Sequence, residues 1–318
     1  RFCWLTSAVL LVACGGGRAG VAPTPTRTAV TFVVFLDENA NGTAEPAETI
    51  RFPGVDLSVA GASARTGTTG EVTIEVPAGP VLVSVADDTL PPWYRSAAGG
   101  VALTPAGGRA FVPVTLPLGP GATPGVYLAF GDSITNGQVA TGDGQGYTGQ
   151  LERALAAHFG RARVINDGLD SSNSERGDGR IAASLSGGHP AFTLILYGTN
   201  DWSDPRCGGA PCFTVESLRS MVRKVKAQGG FPFVGTLLMT NVGNDFRASP
   251  QRNAWVLSQN ADITRMAGEE GATLVDLHAA FELSPYTYSE LFADYIHPSA
   301  IGYRVMAEAW FGALTKRR

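Results

Sequence analysis

The sequence predicts an α/β domain, a three-layer α/β/α doubly wound parallel sheet, preceded by a small all-β sandwich. Three observations carry this. Between residues 28 and 118, short valine-rich segments often alternate apolar with polar residues and are punctuated by Gly, Pro and Asp, the pattern of a sandwich. Over 126–318, continuous apolar runs alternate with stretches of helical period, which argues for a parallel sheet covered on both faces. Between the two, "GPGATPG" at 119–125 suits neither and reads as a linker.

The first residues are of another kind. "RFCWLTSAVLLVAC" holds one Arg and an apolar run too short to span a bilayer. It suits the core of a signal peptide, with small residues before a cleavage point. Leu11-Val12-Ala13-Cys14 resembles the lipobox of bacterial lipoproteins, and by that resemblance Cys14 carries the lipid. Residues 1–14 are then a lipoprotein signal, and residues 15–27, rich in Gly, Ala, Pro and Thr, a linker. The expected destination is the cell envelope, with a lipid anchor in the membrane. Gly15 in place of Asp favours the outer membrane, and an ordinary secretory signal is the alternative. Export implies an oxidising compartment. Cys207 and Cys212, in "CGGAPC", are then expected to close a small disulfide loop. A metal site is the weaker alternative, because no His stands near them.

Within 28–118, "AVTFVVFLD", "GVDLSVAG", "GEVTIEVPAG", "PVLVSVAD" and "RAFVPVTLPLG" are the candidate strands. "DENANGTAEPAE" at 37–48 interrupts them. Asp37, Asn39, Asn41, Glu45 and Glu48, with Gly42 at the sharp turn, match the spacing of a calcium loop, in which oxygen ligands wrap a hard cation. A polar hairpin turn around Asn41-Gly42 is the alternative. This segment, "GVDL" at 54–57 and "TTGEVTIEVPAG" resemble the SdrD B-type and Cna-B-like modules of bacterial surface proteins. That resemblance implies a structural calcium.

Beyond 126, "VYLAFG", "ARVIND", "FTLILYG", "FPFVGTLLMT" and "GATLVDL" read as buried strands. "GYTGQLERALAAHFG", "TVESLRSMVRKVKAQGG", "NAWVLSQNADITRMAGEEG" and "SAIGYRVMAEAWFGAL" carry apolar residues at helical spacing. The charged "ERGDGR" at 175–180 is expected to face solvent, and His158 and His189 to lie on the surface. Ligands of such sheets bind outside the carboxyl ends of the strands. Four segments place distinctive residues there: "FGDSIT" with Ser133, "INDGLDSSNS" with Gly168, "LYGTND" with Asn200, and "DYIHPSAIGY" with Asp294 and His297.

Together these segments resemble the SGNH/GDSL hydrolase superfamily, with its flavodoxin-like sheet, over essentially 126–318. Ser, Gly, Asn and His come in that order, and an Asp stands three residues before the His. The resemblance implies a serine esterase that forms an acyl-serine intermediate and uses no cofactor for catalysis. In that scheme Ser133 attacks, His297 accepts its proton, and Asp294 orients the imidazole. The N–H groups of Ser133 and Gly168 and the side-chain NH₂ of Asn200 form the oxyanion hole. Asp132 is expected to brace the nucleophile's loop. Asp276 and His278 form a competing pair, but the spacing before a terminal helix belongs to Asp294 and His297, so Asp276 is expected to cap or brace.

The charge balance excludes one partner class. With 24 Lys+Arg against 28 Asp+Glu and no basic stripe, nucleic acid is not expected. The resemblance leaves the ester open. A short loop after Asn200, rather than a lid insertion, points to small acyl groups, with the acetyl of an extracellular polysaccharide the expected one. A lysophospholipase or thioesterase is the alternative. A surface adhesion or spacer protein with an inactive hydrolase domain is the reading from another class.

Overall fold

The structure, a computed structural model, describes residues 26–139, 146–208, 212–243 and 246–316. Cys14 and the segment around it lie outside the described residues. The first part of the chain is all β: β1 (Arg27–Leu36), β2 (Asp56–Val59), β3 (Ala62–Arg65), β4 (Glu71–Pro77), β5 (Val81–Val85), β6 (Arg95–Ser96), β7 (Val101–Leu103) and β8 (Arg109–Thr115). They form two four-stranded sheets, ordered β4-β1-β8-β6 and β3-β2-β5-β7. Alternation explains which side chains go in. β1 and β8 bury Phe32, Val34, Val112 and Val114, and the other sheet answers with Leu57, Val59, Val81 and Val83 in the same core.

The second part runs β9 (Thr123–Gly131), α1 (Ser133–Asn136), α2 (Tyr147–Phe159), β10 (Arg163–Gly168), α3 (Ser174–Gly188), β11 (Pro190–Leu196), α4 (Thr214–Ala227), β12 (Phe231–Gly235), α5 (Pro250–Glu270), β13 (Thr273–Val275), α6 (Leu277–Glu282), α7 (Tyr288–Leu291) and α8 (Ala300–Thr315). The strands pair in parallel in the order β10-β9-β11-β12-β13. Successive residues of β9 face opposite layers. Leu128 and Phe130 share a core with Ile181, Met221 and Ile263 of α3, α4 and α5. Tyr127 and Ala129 share the other with Leu155 of α2 and Trp310 of α8. β11, the middle strand, is buried along its whole length, as its apolar run requires.

Three details depart from the sequence reading. The strand β9 begins at Thr123, inside the segment expected to be a linker, because Thr123 pairs with Pro190 of β11. Next to it, Gly119 donates to the Gly229 carbonyl at 2.9 Å. Second, α3 covers a charged segment in which no helix was expected. Its glycines hide the period, yet Gly177, Ile181 and Leu185 are buried at helical spacing. A Cβ at Gly177 would stand 2.8 Å from the Tyr197 ring, so the helix lies close to the sheet there. Third, β12 stops at Gly235. The N–H groups of Leu237 and Thr240 turn instead to the side chains of Asn260 and Asn253 on α5.

The two parts share one apolar core rather than hanging from a tether. The β part docks where the parallel strands start. Phe52 and Tyr94 stack edge-on at 4.9 Å, and both rings lie against Phe159 at the end of α2. Tyr94 also approaches Phe192 of β11 (6.2 Å), and Trp93 stacks on Phe231 of β12 (4.6 Å). Around the rings, Arg51 N–H donates to the Phe159 carbonyl, and Arg161 pairs with Glu38 and the Ala47 carbonyl. A shared core unfolds as one unit. The expected result is a single thermal transition for the protein. Phe159→Ala is expected to lower stability by about 3–5 kcal/mol without splitting the transition. Calorimetry showing two well-separated transitions would contradict this.

Candidate active site

The site forms where the strand order reverses, outside the carboxyl ends of β9 and β11. Asp132 caps α1 by accepting the Ile134 N–H at 2.9 Å, which starts the helix at Ser133. Ser133 is thereby held 5% exposed at the end of the first strand of its sheet. Its Oγ lies 2.9 Å from His297 Nε2, and His297 Nδ1 lies 2.7 Å from Asp294 Oδ2. A carboxylate only accepts, so Nδ1 carries the proton and Nε2 is free to accept from the serine hydroxyl.

The loop carrying the base is tight. Asp294 Oδ1 accepts the N–H groups of Ile296 and His297, and Ala293 N–H donates to the His297 carbonyl. Partial burial raises the Asp294 carboxyl, but His297 and these N–H groups outweigh it and hold it below its ordinary value. The rival pair is elsewhere engaged: Asp276 caps α6, accepting from Ala279 N–H and the Thr236 hydroxyl. His189 is exposed, as expected, whereas His158 is partly buried, edge-on to Phe159 and Phe311.

Asn200 follows β11. Its Nδ2 donates to the Ser172 carbonyl at 3.0 Å and, more loosely, to Asp132 Oδ2 at 3.3 Å. The 3.3 Å bond is the longer and weaker of the two. The next residue, Asp201, is fully buried and fixes this turn to α3 and α4 through Ser174 and Thr214.

Gly168 does not play the part expected of it. Its N–H donates to Asn166 Oδ1 at 3.0 Å, so it is not offered to a substrate. Its glycine is explained by packing instead: a Cβ there would stand 2.1 Å from the Asn136 nitrogen of α1. Three residues on, Ser171 adopts a left-handed backbone (φ 57°), rare for a residue with a side chain. It sits between Asp170, which accepts from Asn136, and Ser172, which accepts from Asn200. The "DSSN" run carried no signal for this, because a glycine is what such a backbone ordinarily selects.

The segment "ERGDGR" also departs from expectation. Arg180 turns inward and pairs with Asp167. Cys207 and Cys212 are joined by a disulfide in the turn beyond Asn200, with Cα atoms 4.4 Å apart. Two surface grooves of about 410 and 450 Å³ lie away from Ser133, one along β2, β3 and β5, the other between α6 and α8.

The loop at 37–48 closes on itself. Asp37 accepts the N–H groups of Asn41 and Gly42, and Glu48 those of Glu38 and Glu45. Asn39 and Asn41 donate to Glu45. Among the described residues, no group of three or more His, Cys, Asp or Glu is placed to hold a metal. These bonds make the loop a hydrogen-bonded clasp, in which its own amides hold Asp37 and Glu48 in place.

A serine joined to a histidine and a carboxylate at the carboxyl edge of a doubly wound sheet defines a serine hydrolase. Comparison with known proteins gives the family. The chain belongs to the GDSL-like lipase/acylhydrolase family, whose model matches residues 129–305. It is 32% identical over 102 residues to Esterase TesA of Pseudomonas aeruginosa, a match covering 32% of this chain and 49% of that protein. The chain therefore spans about half the length of that curated relative. Among solved structures, LAE5, an alpha/beta hydrolase enzyme from the metagenome of Lake Arreo, Spain, has a similar fold. It is 24% identical with a TM-score of 0.50, over 61% of this chain and 98% of its own. A variant of Axe2, an acetyl xylan esterase from Geobacillus stearothermophilus, is 21% identical with a TM-score of 0.51, over 62% and 98%.

Two outcomes are expected. Burial raises the Asp132 carboxyl from 3.8 to about 7. An acid raised on folding contributes stability that is full below its unfolded pKa and lost as pH climbs through the folded one. Asp132→Asn is therefore expected to raise the melting temperature at pH 8 more than at pH 4. It is also expected to lower turnover, because an amide would then face Asn200. A melting temperature changed equally at both pH values would contradict the first half. Separately, chelation of the purified protein is expected to move its melting temperature by less than about 1 °C, because the clasp binds itself. A fall of several degrees, reversed by calcium, would restore the ion to the loop.

Proposed function

We propose that the protein is an exported serine esterase that removes short acyl groups, acetyl foremost, from extracellular carbohydrate. The observation that carries the chemistry is the hydrogen-bonded line Ser133–His297–Asp294, with contacts of 2.9 and 2.7 Å. Ser133 Oγ attacks the ester carbonyl while His297 Nε2 takes its proton. Asp294 holds the imidazole in the required tautomer and stabilises the imidazolium. The tetrahedral oxyanion faces the Ser133 N–H, Asn200 Nδ2–H and the Ser171 N–H, which takes the place assigned to Gly168. His297 returns the proton to the leaving alcohol. Water then enters by the same route and frees the serine.

The direction of the chain favours a carbohydrate over the lipid of an anchoring membrane. β1 crosses its sheet from Arg27 to Leu36, about 30 Å at strand rise. Its last residues adjoin the hydrolase part, and its first pair with Pro77 at the far end. β9 then runs from that junction to Ser133. Ser133 therefore lies at the end of the hydrolase part away from its junction with the β part, and the preference rests on that placement. The name of the acetyl xylan esterase with a similar fold supplies the same substrate class.

A series of p-nitrophenyl esters tests the reading. Turnover is expected to be highest for acetate and to fall at least about 10-fold by octanoate, with acetate released from acetylated xylan. Rates that rise with chain length, or preference for lysophospholipid, would overturn the short-acyl reading. Ser133→Ala is expected to reduce turnover by about 10⁴-fold or more. Unchanged turnover would overturn the catalytic assignment itself.

A further inference from the structure

Arg180, on α3, does not belong to the line from Ser133 to Asp294, yet three strands of the catalytic edge end on its guanidinium. Nη2 donates to the carbonyl of Gly131, the last residue of β9, at 3.1 Å. Nη1 pairs with the Asp167 carboxylate of β10, and Nη2 also reaches the Asp167 carbonyl. Nε and Nη2 lie 3.1 and 2.8 Å from the hydroxyl of Tyr197, the residue after β11. The plane lies 4.1 Å over the Phe130 ring.

Carbonyls at the ends of parallel strands run out of ladder partners, and a buried one must find a donor. Arg180 supplies donors to two adjacent strand ends at once. The Gly131 carbonyl also accepts the Leu169 N–H at 2.9 Å, so the same atom fixes the start of the loop that holds Ser171. On the other side, the Tyr197 hydroxyl donates to Ser172 Oγ at 3.4 Å, and the Ser172 carbonyl holds Asn200 Nδ2 at 3.0 Å. A planar fork is required for this. A lysine, with one ammonium, cannot reach Asp167, Gly131 and Tyr197 together.

We infer that Arg180 is a positioning residue for the oxyanion side of the site, acting through Tyr197 and Ser172 on Asn200. It touches no substrate. The inference rests on the esterase reading above, in which Asn200 meets the oxyanion. Preorganised donors lose much of their effect when their aim is loosened.

The full chain carrying Arg180→Lys, Arg180→Leu or Tyr197→Phe is compared with the unaltered protein on p-nitrophenyl acetate. Arg180→Lys is expected to lower kcat about 10-fold with KM within about twofold, the pattern of an interaction lost in the transition state alone. Tyr197→Phe keeps the ring and removes only the hydroxyl, so a smaller fall of about threefold is expected in the same direction. The acid limb of the kcat/KM profile should stay in place, because His297 and Asp294 are not part of this line. Affinity for a boronic acid, a mimic of the tetrahedral state, should fall in step with kcat. Unchanged kcat in both Arg180→Lys and Tyr197→Phe would overturn the inference, as would a moved acid limb. Should the arginine variants fail to fold, Tyr197→Phe decides alone. Failure of the esterase reading would look different: the unaltered protein would show no turnover dependent on Ser133.

Discussion

A 2.9 Å hydrogen bond joins Ser133 to His297 across 164 residues of chain, and the rest of the hydrolase part exists to hold those two atoms together. Such a bond fails within a few tenths of an ångström, so it tolerates little drift between the first strand and the last loop. α8 restrains both ends. Its cap, Ser299, lies two residues beyond His297, and its Tyr303 hydroxyl donates to the Gln138 carbonyl at 2.9 Å, just past the nucleophile's helix. Trp310 on the same helix is fully buried and stacks on Tyr147, whose hydroxyl meets Thr135 of α1. The precision of the triad is therefore a property of core packing, not of the loops alone.

Much of this was legible in the sequence, for a physical reason. Ser133 and Asn200 stand where buried apolar strands give way to short loops, and parallel sheets put such places on one edge; Asp294 and His297 lie on the loop between α7 and α8 and were legible by their spacing before the last helix. The strands β9 and β11 are apolar enough to be recognised singly. What could not be read was orientation. Gly168 and Ser171 are three residues apart on one loop, and only the Asn166 side chain, which takes the Gly168 N–H, tells against the glycine as a donor. Composition pointed to the glycine. Its purpose was to let α1 approach, a contact that involves residues more than thirty positions earlier. The helix α3 was hidden by the same cause in another guise: its Gly177 fits a tyrosine ring rather than breaking the helix.

Gly and Pro between two parts of a chain do not by themselves make a hinge. The turn around Gly119 is rich in both, yet it lies against Gly229 so closely that a Cβ at either position would overlap the other's backbone. Small residues serve close approach as readily as they serve freedom. The aromatic residues that join the two parts, Phe52, Tyr94, Phe159 and Phe192, are each unremarkable in sequence. Their partners are far apart in the chain, so no local pattern could announce the interface.

The long separation between nucleophile and base also sets an order in time. A chain made or threaded across a membrane from its N-terminus brings out Ser133 well before His297. Until residues 297–315 arrive, the serine has no base, and α8 is not there to seal the core over Tyr147 and Leu155. The enzyme is thus built as a two-key lock. Its serine stays unarmed until residues 297–315 are in place.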